Sequence, residues 1–183
     1  HLGKWHCQKV DSIEGLELKY IVEPFEQSQK KAKEAHPATQ VVSQLEDALA
    51  EVDAVVIVTP TSSHFDLAQK VVQAGKHCFC EKPVTSQLSQ ATELLRLAEK
   101  NAQVFQVGHS ERCHQVWETV APHFKNLKPG WAITINRYAP FKGRATDVDV
   151  VQDLMIHDVD LLLYLTLKKP LSVRAYGHRS ISE

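Results

Sequence analysis

The sequence predicts an α/β fold: a Rossmann-type doubly wound parallel sheet followed by the start of an α+β substrate domain. Three observations lead there. Short β-rich runs alternate with helical segments at βαβ spacing over the first 108 residues. One run, DAVVIV at 53–58, is continuously apolar, as in a strand buried on both faces of a parallel sheet. After residue 108 the alternation stops, and the remaining segments read as helix, half-solvated strand and a strongly apolar helix.

In order, LELKYIV (16–22) is a strand ended by Glu23-Pro24, and the lysine-rich 25–36 suits an exposed helix. A short strand lies near Thr39–Val42. Ser43 and Glu46, at capping-box spacing, open a helix reaching Ala50. After the 53–58 strand, Thr59-Pro60 breaks the run. Ser62 or Ser63 caps a helix to Ala74, which Gly75 ends. His77–Cys80 is a strand closed by Glu81-Lys82-Pro83, then come a helix at 87–100 and a strand at Val104–Val107. Residues 114–121 are helical up to Pro122, and Pro129-Gly130 is a turn. WAITINRY (131–138) alternates as a strand, and Phe141–Arg144 is an irregular basic loop. QDLMIHDVDLLLYL (152–165) is an apolar helix, and Leu171–Tyr176 starts another strand after Pro170. The domains expected are 1–120 and 121–183. A doubly wound sheet needs a strand before its first helix, and the chain stops as a strand begins, so the polypeptide is expected to extend past both ends.

Composition narrows the function classes. With 183 residues, 43% hydrophobic and 23% charged, the chain has enough apolar side chains for a core, which excludes disorder. Its 21 Lys+Arg and 22 Asp+Glu give a net charge of −1, which argues against a nucleic-acid partner. No apolar stretch approaches the roughly 18–20 residues that span a bilayer, and HLGKWHCQKV lacks the apolar core of a secretion signal. Four cysteines do not make a disulfide framework, so a reducing, cytoplasmic setting is expected. Cys78-Phe79-Cys80 is not a zinc pair and no four-ligand set is recognisable, so no metal is expected.

Four segments carry the chemistry: HLGKWH (1–6), DAVVIVTPTSSHFDLAQKVVQAGKHCFCEKP (53–83), VGHSER (107–112) and DLMIHDVD (153–160). Together, in this order, they resemble the glucose–fructose oxidoreductase / inositol dehydrogenase / MocA-type oxidoreductases. The longer string RYAPFKGRATDVDVVQDLMIHDVD is similar to a bacterial branch with UDP-N-acetylglucosamine 3-dehydrogenase-like members. The resemblance implies NAD-dependent oxidation, in either direction, of a secondary alcohol on a sugar, sugar nucleotide or cyclitol. It also implies homo-oligomers formed through the C-terminal domain. Some relatives bind a dinucleotide as sensors without turnover, which is the alternative reading.

The resemblance assigns residues as follows. Leu2 and Gly3 match the second half of the family's glycine-rich turn, where the third glycine allows close helix–strand packing. Glu23, about 20 residues on, is placed to bind the ribose 2′-OH and to repel a 2′-phosphate, favouring NAD over NADP. Thr59, Pro60, Thr61 and His64 lie at the carboxyl edge assigned to the cofactor, although they also serve as strand-to-helix punctuation. Glu81 and Lys82 belong to the family's EKP motif, with the lysine near the nicotinamide and the reacting carbon and a cis bond to Pro83. Asp153 and His157 match an aspartate–histidine pair, with His157 as the proton-transfer group. Asp153, His157, Asp160 and Tyr164 are spaced for one helical face, with Asp158 on another. Arg112 and Asp160 are candidate substrate contacts, but Arg112 could equally tie the two domains together. The family carries an aromatic and a proline soon after that arginine, where this chain has Cys113-His114.

Overall fold

The computed structural model describes residues 2–125, 130–138 and 148–178. Helix α1 (Leu2–Ser12) leads through Gly15, at φ +85° in the left-handed region, to strand β1 (Tyr20–Val22). Helix α2 (Glu26–Ala35) then crosses over to β2 (Gln40–Val42), which pairs parallel to β1. A single turn, α3 (Glu46–Leu49), precedes β3 (Ala54–Ile57). Helix α4 (His64–Gln73), strand β4 (His77–Cys80), helix α5 (Leu88–Lys100) and strand β5 (Phe105–Val107) complete a second ladder, β3-β4-β5, all parallel. The alternation of strand and helix is therefore as expected, but the strands fall in two ladders, of two and three.

The core lies between the three-stranded ladder and the helices α4 and α5. On α4, His64, Ala68, Val71 and Val72 are buried, the i, i+4, i+7, i+8 stripe of an amphipathic helix. They meet Ile57, Cys78 and Cys80 of the sheet and Leu94 and Ala98 of α5. Gly75 ends α4 at φ +73°, a conformation that favours glycine.

Several local expectations are corrected. Residues 53–58 are not buried on both faces: Ile57 is buried and Val55 packs on the core, while Ala54 and Val56 are exposed. The helices α4 and α5 cover one face only. The capping box does not form; Leu45 stands at the N-cap of α3 without a side-chain bond, and Ser43 Oγ instead accepts a hydrogen bond from Gln29. Ser63 likewise does not cap α4 with its side chain, which donates to Pro60 O and Thr59 Oγ1, drawing the preceding turn together.

Helix α6 (Val116–Lys125) runs through Pro122 instead of stopping there. Proline removes one amide donor, but packing against α7 (Ile156–Thr166) holds the helix across it. The predicted helix at 152–165 has two parts. A π-helical turn, Val151–Met155, in which the Ile156 N–H reaches back to Val151 O, precedes α7. Neither 131–138 nor 171–176 is a strand: no ladder forms, and Ile135, Tyr138, Leu171 and Tyr176 are exposed. Alternation predicts which face a strand buries, yet a strand also needs a hydrogen-bonded neighbour, and none stands beside these segments among the described residues. The basic loop Phe141–Arg144 lies outside the described residues. Among them, no helix is long and apolar enough to cross a membrane.

Candidate active site

Because β3, β4 and β5 are parallel, their carboxyl ends share one edge, the usual ligand edge of an open α/β sheet. That edge carries Thr59-Pro60 after β3, Glu81-Lys82 after β4 and Gly108-His109 after β5. Glu23 stands at the corresponding end of β1, where its N–H donates to Val42 O and its Oε1 accepts from Phe25 N–H at 3.0 Å.

Glu81 is held from several sides. His6 Nε2 of α1 lies 2.8 Å from its Oε1, and the Lys82 N–H donates to its Oε2 at 3.2 Å. The His6 ring packs on Phe79, centroids 5.5 Å apart. Gly108 makes room for this arrangement: a Cβ there would meet Glu81 Oε2 at 3.0 Å and Phe79 Cζ at 3.1 Å. Gly3 lies in the first turn of α1, with nothing among the described residues within 4 Å of where its Cβ would stand. Leu2 beside it is exposed.

His64 differs from its expected role. Its ring is 1% exposed, with Nδ1 2.8 Å from Pro83 O and Nε2 2.9 Å from Thr59 O. Both nitrogens face carbonyls, so the side chain braces the loop after β3 against the loop after β4 and is not open to a cofactor. Thr61 is also buried. The Lys82–Pro83 bond is cis, as the resemblance implies.

The lysine reaches the second half of the chain. Lys82 Nζ donates to Asp153 O at 2.5 Å and to Asp153 Oδ1 at 3.1 Å, and both side chains are largely buried. Asp153 therefore partners Lys82, while His157 Nδ1 is buried without a hydrogen-bond partner among the described residues. The expected Asp153–His157 pair is thus corrected: Asp153 lies in the π turn, where both its carbonyl and its carboxylate accept from the Lys82 ammonium. Burial, then the positive charge of Lys82, hold the His157 imidazole below its ordinary pKa, so the ring is neutral at pH 7.

Arg112 and Asp160, the candidate substrate contacts, bind each other. Arg112 Nε donates to Asp160 Oδ2 at 2.7 Å and its Nη2 donates to Oδ1, a bidentate pair. The guanidinium also lies 5.3 Å from the Tyr164 ring centroid. Of the two roles open to Arg112, the structure shows the tie between the turn after β5 and α7. A parallel pair, Arg137 on Asp158 at 2.8 and 2.5 Å, fastens 130–138 to the same helix and holds the Asp158 carboxyl below its usual range.

Burial pushes the thiols of Cys78 and Cys80 up to about 12, which leaves them protonated and outside nucleophilic chemistry. Among the described residues, no group of three or more His, Cys, Asp or Glu is placed to hold a metal. Sequence reasoning missed His6, Gly108, His109 and the Arg137–Asp158 pair. His6, Gly108, His109 and Asp158 all lay within the four segments, but their contacts join residues far apart in the chain and leave no local signal.

Comparison with known proteins adds a separate line. Residues 1–109 match the family described as "Oxidoreductase family, NAD-binding Rossmann fold" (GFO_IDH_MocA). UDP-N-acetylglucosamine 3-dehydrogenase of Acidithiobacillus ferrooxidans is 38% identical over 191 aligned residues, covering 100% of this chain and 57% of that protein. A solved structure of that enzyme from the same organism superposes with a TM-score of 0.80 at 37% identity, covering 100% of this chain and 58% of the other. Inositol 2-dehydrogenase of Rhizobium meliloti is 27% identical, covering 95% of this chain and 54% of its own length. The chain thus spans a little over half the length of these relatives.

Proposed function

Since the chain belongs to the GFO_IDH_MocA oxidoreductase family, with its NAD-binding Rossmann fold, we propose that it serves hydride transfer between NAD and a secondary alcohol of a sugar, sugar nucleotide or cyclitol. The observation that carries the proposal is Lys82 at the carboxyl end of β4, hydrogen-bonded to Asp153, with the neutral His157 near enough to feel its charge.

The parallel edge fits a dinucleotide, because polar groups follow each strand where such a ligand lies. Leu2 and Gly3 at the start of α1, Glu23, Thr59, Pro60, Thr61 and Glu81 would hold it, with His64 acting from behind as a brace. The Glu23 carboxylate favours ribose hydroxyls and repels a 2′-phosphate, which supports NAD over NADP. When bound, NAD supplies the hydride acceptor.

The chain's own residues manage the alcohol. Hydride leaves a carbinol readily only as its oxygen becomes alkoxide-like, so a base must take the hydroxyl proton. His157 is suited to this, being uncharged at pH 7 and half-buried. The Lys82 ammonium stabilises negative charge at the alcohol oxygen, and Asp153 fixes the lysine's direction. UDP-N-acetylglucosamine 3-dehydrogenase and inositol 2-dehydrogenase among the relatives support a polyol substrate, and the former supports a sugar nucleotide.

The test is to mix the intact protein with NAD and a panel of sugar nucleotides, free sugars and inositols, following absorbance of reduced nicotinamide. Reduction with one class of polyol is the expected result. NAD binding without reduction across the panel would transfer the case to the sensor reading.

A further inference from the structure

His157 is not the only imidazole beside Lys82. His109, one strand over on the same edge, also feels the charges of Lys82 and Glu81, and its Nδ1 is likewise buried without a hydrogen-bond partner among the described residues. We propose that His109 is a specificity-determining residue of this site, its ring set by Asp160 so that Nε2 accepts a hydrogen bond from a second hydroxyl of the substrate, next to the reacting carbinol. The proposal rests on the polyol oxidoreductase reading above.

The geometry carries it. His109 Nδ1 stands 3.6 Å from Asp160 Oδ1, just beyond hydrogen-bond length, and contacts of this kind often tighten only when ligand enters. Asp160 is 8% exposed and locked by both bonds from Arg112, so it neither turns away nor trades His109 for bulk water. A carboxylate offers about four lone-pair directions, and two bonds from Arg112 leave room for a third. An imidazole beside a fixed acceptor places its proton on the near nitrogen, leaving the far one as an acceptor. The exposure of His109 agrees: Nδ1 is sealed, yet 21% of the side chain is open, so the accessible edge is the opposite one.

The surrounding charges are Asp160, Arg112, Glu81 and Lys82. Burial outweighs their mixed effect and holds the ring below its ordinary pKa, so it stays neutral and able to accept at pH 7. Adjacent strands lie about 4.8 Å apart, and the register Cys80↔Val107 sets His109 beside Lys82 on the same edge. The residues positioned to make a carboxylate–imidazole unit are thus Asp160 and His109, where the sequence pointed to Asp153 and His157.

Two measurements on the intact protein test this. Long-range proton–nitrogen correlation spectra of histidine-labelled protein at pH 7.5, assigned with His109→Gln, should show the Nδ1–H tautomer for His109; an Nε2–H tautomer overturns the proposal. Kinetics then compare the polyol the enzyme oxidises with its analogue lacking the adjacent hydroxyl. His109→Phe should raise KM for the parent about tenfold or more, leave kcat within about threefold, and leave KM for the analogue unchanged. His109→Gln, which retains an acceptor, should recover part of the loss. Equal effects on both substrates, or a loss confined to kcat, overturn the proposal alone. Absence of turnover on every polyol by the unaltered protein overturns the oxidoreductase reading and this one with it.

Discussion

The β3–α4–β4–α5–β5 layer and the segments 130–138 and 167–178 contain similar proportions of apolar residues but hold them differently. In the layer, Ala68, Val71, Val72 and Cys80 have no exposed surface. In the two later segments, Ile135, Tyr138, Leu171 and Tyr176 are exposed, and what fastens 130–138 to α7 is the ion pair Arg137–Asp158. The difference teaches that helical periodicity carries most of its own structural instruction, whereas strand alternation carries half of one, the other half being its neighbour. The candidate site joins the packed layer to the helix that lies between those two segments, with Lys82 from the layer and Asp153 and His157 from the π turn and α7.

The sharpest contrast is in stability. Leu94→Ala opens a cavity in the layer and should cost about 2–5 kcal/mol, whereas Val173→Ala, at an exposed site, should fall within about 0.5 kcal/mol. Denaturant melts of the two variants read this directly, and equal losses would abolish the distinction between the regions.

Catalysis should depend on both sides of the junction. Lys82→Ala and His157→Ala should each lower kcat by on the order of 10²-fold or more, with NAD affinity, read by fluorescence titration, changing less than about threefold. A strong effect from one side only would place the chemistry wholly in one region.

Arg112→Ala cuts the tie between them and leaves the Asp160 carboxylate buried without its cation. The cost should be about 2 kcal/mol, seen as faster hydrogen exchange in α7 with little change in α4. Exchange unchanged in α7 would mean that other contacts hold the helix.

The smallest effect expected is on pH dependence. His157 titrates below its ordinary value of about 6.5, so the acid limb of kcat/KM should lie below pH 6.5. Removing the lysine's charge in Lys82→Met should move that limb up in the residual activity. The linkage to stability has a definite sign. The unfolded ring takes up its proton near 6.5 and the folded ring only at lower pH, so the contribution is complete above 6.5 and is lost as pH falls from there toward the folded value. A limb that stays put in Lys82→Met would separate the lysine from the imidazole.

How much of this was legible in the sequence follows the same division. The β3-to-β5 layer was readable because each helix has its stripe and each element its break, such as Gly75 after α4 and Thr59-Pro60 after β3. The residues at the carboxyl edge were readable as a set, since parallel strands bring their ends together. What they bind was not. Asp153 turns to Lys82, Asp160 to Arg112, and His64 to two carbonyls, and these choices depend on distances between parts of the chain up to 71 residues apart. The failed strands have the same cause, since a ladder partner is a property of the fold and not of the segment.

The π turn at Val151–Met155 gives the chain's length a chemical meaning at this point. One residue more than an α-helical turn needs is one step of about 100° in side-chain direction. Deleting Leu154 would let the turn relax to ordinary α-helix and would swing Asp153 around the axis, with α7, His157 and Asp160 left in register. The aim of the lysine and the presence of the base could then be separated without altering either side chain, by a change in the count of residues between them.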